Sequence, residues 1–232
     1  MAPTDASPTA PPVKLETSPT PVDYLFALRR MDHLAQAIRG GRETERLWLL
    51  EHPHVYTAGT SATPDELLAA GTVPVHRVGR GGRFTYHGPG QRIGYVMLDL
   101  KRRKPDVRAF VHDLERWLID TLARLGVRGE RRAGRVGIWV RTDHGEAKIA
   151  ALGVRVRRWV TFHGVALNVD PDLGRFDGIV PCGLRGFGVT SLAALGHPAD
   201  MAAVDTALRG AFQDVFGPLM PASPVEFCDA GF

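Results

Sequence analysis

One apolar stripe limits how this chain can fold. Val107, Phe110, Val111, Leu114, Leu118, Leu122 and Leu125 recur at helical spacing between Asp106, a good N-cap, and Gly126, where the run ends. Such a helix hides its stripe only against a second layer. The surrounding segments supply one, because Arg46 to Glu51, Val75 to Val78, Ile93 to Leu100, Val136 to Val140, Lys148 to Val156 and Thr161 to Val169 all have strand composition. Further helices are predicted from Asp23 to Gly40, through Tyr24, Leu28, Met31, Ala35 and Ile38, at Pro64 to Ala70, and over Met201 to Phe216. The connection from His52 to Ala62 and the glycine-rich stretch Gly79 to Gly90 read as loops. Strands in the middle with helices at the flanks predict an α/β domain of the α+β type.

At 232 residues and 44% hydrophobic, the chain has enough material for one large domain and too little for two. Residues 1–21, built from Pro, Ala, Ser and Thr, are expected to be a disordered tail, 22–217 a single folded domain and 218–232 a C-terminal tail. No apolar run nears the roughly 20 residues that cross a bilayer, so no membrane role is expected. Two distant cysteines, Cys182 and Cys228, make no disulfide framework, and reduced thiols in the cytoplasm are expected. Lys and Arg exceed Asp and Glu by 29 − 25 = 4. The arginines bunch at Arg128 to Arg135 and at Arg155, Arg157 and Arg158, without the interleaved aromatics that stack bases. These clusters form either a solvated basic face or a docking face for an acidic carrier protein.

Several residues could do chemistry. Cys182 lies between Pro181 and Gly183, a turn that either presents a thiol or buries a small hydrophobe. A nucleophilic thiol needs its pKa of about 8.5 lowered by a cation. Lys148 opens a strand, and strict alternation puts it on the side of Ala150, Leu152 and Val154, as a buried cation or a strand-end lysine reaching water. The small residues Ala151 and Gly153 on one strand and Gly164 and Ala166 on the next leave either a trough for a straight apolar chain or room for close packing. His87 and His163 are candidates to hold a carbonyl or carry a proton. The pair His52 and His54 lacks a third ligand at metal-site spacing. The glycine loop matches no phosphate-binding pattern, so neither metal nor cofactor is expected.

Four segments taken together closely resemble the bacterial octanoyltransferase LipB family: Arg80 to Gln91 (RGGRFTYHGPGQ), Lys148 to Gly153 (KIAALG), Phe162 to Asn168 (FHGVALN) and Gly178 to Gly183 (GIVPCG). The resemblance covers about residues 22 to 217. It implies the biotin/lipoate protein ligase-like catalytic fold, with a mixed, largely antiparallel sheet flanked by helices, and transfer of octanoyl to protein lysines. Octanoyl-acyl carrier protein would be the donor. Lipoyl domains of 2-oxoacid dehydrogenases and the glycine cleavage H protein would be the acceptors, with no nucleic acid partner. The catalytic pair would be Cys182, carrying the acyl group as a thioester, and Lys148. Substrate contacts would fall on Arg80, Gly81, Gly82, Arg83, Phe84, Thr85, Tyr86 and His87, on Ala151, Leu152 and Gly153, and on Gly164, Val165 and Ala166. Arg83 replaces the family's usual glutamine. The alternatives are an ATP-dependent lipoate or biotin ligase of the same fold and a non-catalytic basic module that binds an acidic carrier.

Overall fold

The computed structural model describes residues 11–180 and 187–221. Within them the strands are β1 (Val13–Thr17), β2 (Arg46–Leu50), β3 (Val55–Ala58), β4 (Val75–Arg77), β5 (Phe84–His87), β6 (Gln91–Met97), β7 (Glu130–Arg132), β8 (Arg135–Thr142), β9 (Gly145–Arg157), β10 (Val160–Asn168), β11 (Gly188–Val189) and β12 (Leu219–Pro221). The helices are α1 (Tyr24–Arg39), α2 (Val107–Arg124) and α3 (Met201–Phe216). Each starts at an aspartate, Asp23, Asp106 or Asp200, whose carboxylate accepts a first-turn backbone N–H. No described helix is long and apolar enough to cross a membrane.

The main sheet runs β12-β1-β2-β6-β10-β9-β8-β7, with β11 attached beside β9. It is antiparallel except along β12-β1-β2 and at β11. The apolar stripe of α2 does what its spacing demands: Leu114, Trp117 and Leu118 pack with Val204, Leu208 and Phe212 of α3 onto Val165, Leu167 and Ile138 of the sheet. The opposite face carries α1, whose Ala27, Met31, Ala35 and Ile38 cover Trp48, Ile93 and Ala166. A small second sheet, β4-β3-β5, closes over that side.

Four expectations change. Residues 13–17 are not disordered, because Val13 is fully buried and β1 satisfies its backbone against β2 and β12. Glu16 seals the strand with ion pairs to Arg30 and Arg46. Likewise β12 falls inside the expected C-terminal tail and completes the sheet edge. The two stretches read as loops, His52 to Ala62 and Gly79 to Gly90, contain β3 and β5, which pair antiparallel. All eight of their positions are buried, so neither strand shows the one apolar and one solvent-facing side by which a half-buried strand is recognised. Finally, Pro64 to Ala70 forms only one 3₁₀ turn, Pro64–Glu66.

Candidate functional site

Where the small sheet meets β9 and β10, a cavity of about 440 Å³ opens. Arg80, Gly81, Gly82, Arg83, Phe84, Thr85 and His87 line it from the glycine-rich stretch, Ala151, Leu152 and Gly153 from β9, and Gly164, Val165 and Ala166 from β10. The register puts Gly153 opposite Gly164 and Ala151 opposite Ala166, so the four small residues form two adjacent cross-strand pairs. Tyr86 points elsewhere: its ring packs on Tyr56 and Phe176, and its hydroxyl lies 2.6 Å from His54 Nδ1. Alternation along β5 puts Tyr86 on the side opposite Thr85 and His87, in a core cluster shared with Phe84, which also edges the cavity. Tyr24, Ile93 and Tyr95 also line the cavity without having been singled out in the sequence. Their local pattern is that of ordinary core residues.

Gly164 is small for a reason other than the cavity. A Cβ on it would overlap the Gly94 carbonyl oxygen on β6, so this glycine permits close approach of two strands. At Gly153 a Cβ would instead stand 3.1 Å from the Arg80 side chain. That guanidinium is anchored to Thr57, with Nη2 at 2.7 Å from both the carbonyl and the hydroxyl oxygen. Arg83 forms an ion pair with buried Glu66, whose backbone carbonyl accepts the Val180 N–H at 2.7 Å. It therefore ties the glycine-rich stretch to the chain at Val180, two residues before Cys182.

Lys148 does not lie where strict alternation puts it. Cross-strand partners pass from Ile138 with Ala150 to Trp139 with Lys148, leaving Ile149 as an extra residue on β9. Partners share a face. Ala150 thus goes with Ile138 toward α2, while the bulge turns Lys148 to the side of Trp139 and Ala151. Its ammonium is buried, donates to the Val136 carbonyl at 2.7 Å and lies 5.1 Å from the Trp139 ring centre. Val136 is itself part of the cavity wall. Cys182 lies outside the described residues. The chain on either side is fixed, at Val180 by Glu66 and at β11 by parallel pairing, in which Val189 stands opposite Lys148.

Beside the Arg80 guanidinium, the buried rings at the inner end of the cavity are uncharged. Burial holds His52 down at about 4 and His87 and His163 at about 3, and it pushes Tyr24 up to about 12. A chain of hydrogen bonds sets the form of His87. Asn168 Nδ2 donates to the Thr190 carbonyl, and Gln91 Nε2 donates to Asn168 Oδ1, both at 2.9 Å. Gln91 therefore presents its oxygen, 2.7 Å away, to His87 Nδ1, which must carry the hydrogen. Nε2 remains as an acceptor. In the same way His52 Nδ1 donates to the Val22 carbonyl, so Tyr95 donates its hydroxyl hydrogen to His52 Nε2 at 2.7 Å. His163 adopts φ +59 inside β10, a left-handed conformation unusual for histidine, beside the cavity.

This architecture, a largely antiparallel sheet with helices on both faces and a cavity roofed by a glycine-rich segment, is the lipoate protein ligase fold. A bipartite lipoate protein ligase from Thermoplasma acidophilum superimposes with a TM-score of 0.67 over 93% of this chain and 88% of that one, at 16% identity. Residues 23–213 match the family model of the lipoyl protein ligase A/B catalytic domain, and the chain belongs to that family. It is 63% identical over 204 residues to a Parvibaculum lavamentivorans protein named Octanoyltransferase, covering 86% of this chain and 91% of that one. A protein of the same name from Paramagnetospirillum magneticum is 60% identical over 207 residues, covering 89% and 98%.

Proposed function

We propose that this chain is an octanoyltransferase that carries the acyl group on Cys182 and hands it to a lysine of a lipoyl domain. The transferase activity rests on one observation, the 56–63% identity with proteins of that name over most of the chain. The steps below are the chemistry that the site residues support best.

The Cys182 thiolate attacks the carbonyl of an octanoyl thioester on acyl carrier protein. The carrier's pantetheine sulfur leaves as a thiolate and takes up a proton. The acyl-enzyme is another thioester, so this exchange is near neutral in free energy. The acceptor lysine, once deprotonated, attacks the same carbonyl; the amide forms, the Cys182 thiolate is expelled and one proton is released. Amide formation from a thioester is downhill, so no ATP is needed. The Lys148 ammonium, buried beside β11, is suited to favour the thiolate and the oxyanion of each tetrahedral intermediate. His87, neutral with Nε2 as acceptor, lines the cavity that takes the acyl chain. A cytoplasmic location belongs to the same reading.

The test is turnover of octanoyl-acyl carrier protein and a lipoyl domain without ATP. Wild-type protein should transfer, and intact-mass analysis should show an octanoyl adduct that Cys182→Ala cannot form. Transfer at the wild-type rate by Cys182→Ala would refute the covalent step. An absolute requirement for ATP with free octanoate would favour a ligase instead.

A further inference from the structure

The bulge that turns Lys148 to the side of Trp139 has a counterpart on β8. Gly137 adopts φ +126, where a side chain is strained. A Cβ there would stand 2.7 Å from Lys148 Cε, 3.0 Å from Nζ and 2.9 Å from the Ala150 carbonyl oxygen. No methyl group fits in that space. The residue before Gly137 supplies the carbonyl that accepts from Nζ, and two residues after it Trp139 supplies the ring beside the ammonium. Arg135 lies 4.8 Å from the centre of that ring, and Glu146 engages both Arg135 and Arg132.

We propose that Gly137 is a positioning residue for the transfer reaction, because its missing side chain lets the Lys148 ammonium lie against the Val136 carbonyl, where it lowers the pKa of Cys182. The proposal rests on the roles given to Lys148 and Cys182 above. A glycine that merely tolerates the bulge would stabilise β8 without affecting the thiol.

The experiment uses the full chain in a Cys228→Ser background and measures the iodoacetamide alkylation rate against pH, with kcat, KM and Tm, for wild type, Gly137→Ala, Lys148→Ala and the double variant. Gly137→Ala should move the thiol pKa up by about one unit, a tenfold loss of thiolate, toward the Lys148→Ala value. kcat should drop about tenfold with KM changed less than twofold. The double variant should show no further pKa rise and a higher Tm than Gly137→Ala, since truncating Lys148 relieves the two contacts with its side chain and leaves only the one with the Ala150 carbonyl. If Gly137→Ala alone fails to fold, recovery of folding in the double variant supports the proposal, and equal failure of both overturns it. A wild-type thiol pKa in Gly137→Ala, with Lys148→Ala shifted, overturns this proposal alone. Absence of a shift in Lys148→Ala overturns the underlying reading and this proposal with it.

Discussion

His87 owes its protonation state to Gln91, four residues further on, and Gln91 owes its orientation to Asn168 and Tyr86. The amide oxygen accepts from Nδ1 without supplying charge, so burial and the Arg80 guanidinium keep the ring neutral. Gln91→Glu puts a carboxylate in the same place, and a negative charge favours imidazolium. The His87 pKa should then rise from about 3 by at least one unit, worth about 1.4 kcal/mol, as read from imidazole nitrogen shifts in an NMR titration. An unmoved value would show that Gln91 does not set the ring's state. The glycines and His87 stand out in the sequence because loop chemistry is local. Gln91 and Asn168 do not, since their meaning lies in a contact across 77 positions of chain.

At the scale of elements, β10 is where two uses of glycine separate. The Gly164 position serves the strand pair β6–β10, and a methyl there drives into the Gly94 carbonyl. Gly164→Ala should therefore destabilise the protein by about 1–3 kcal/mol in denaturant unfolding. Gly153→Ala meets the Arg80 Cδ at 3.1 Å instead, a side-chain contact that a shift of a few tenths of an ångström relieves. It should fold near normally and shift the acyl-chain preference toward shorter chains, which a panel of acyl donors would reveal. Equal stability loss in both variants would deny the distinction. Composition alone groups these glycines together, and only the strand register tells them apart. The same holds for Lys148: alternation is a sound guide along a regular strand and fails at a bulge, because one extra residue reverses every face beyond it. The helices were legible because a stripe and a capping aspartate lie within one element. Strands β1, β3 and β5 were not, since partners distant in the chain make them strands.

For the molecule as a whole, charge is more balanced than the sequence suggests. All four arginines from Arg128 to Arg135 engage carboxylates, whereas of Arg155, Arg157 and Arg158, at the end of β9 and in the turn after it, only Arg157 has an ion pair among the described residues, with Asp32. The acid limit of stability comes from the interior. His52, His87 and His163 titrate at about 4, 3 and 3 when folded and near 6.5 when unfolded. Below pH 6.5 the unfolded chain takes up protons that the folded one refuses, so stability falls with pH and levels off only near the folded values. With all three neutral in the fold, the slope between about pH 6 and 4 approaches about 4 kcal/mol per pH unit. Asp113 and Asp205, raised by burial, act with the opposite sign, because the fold protonates them first. Two carboxyls set against three imidazoles leave a net loss. Urea unfolding from pH 7.5 to 4.5 should show the midpoint falling steadily below pH 6.5, and His52→Gln should make the decline shallower. A midpoint constant from pH 7 to 5 would mean that the three rings take up protons inside the fold as readily as in the unfolded chain, against the burial that holds their pKa values down.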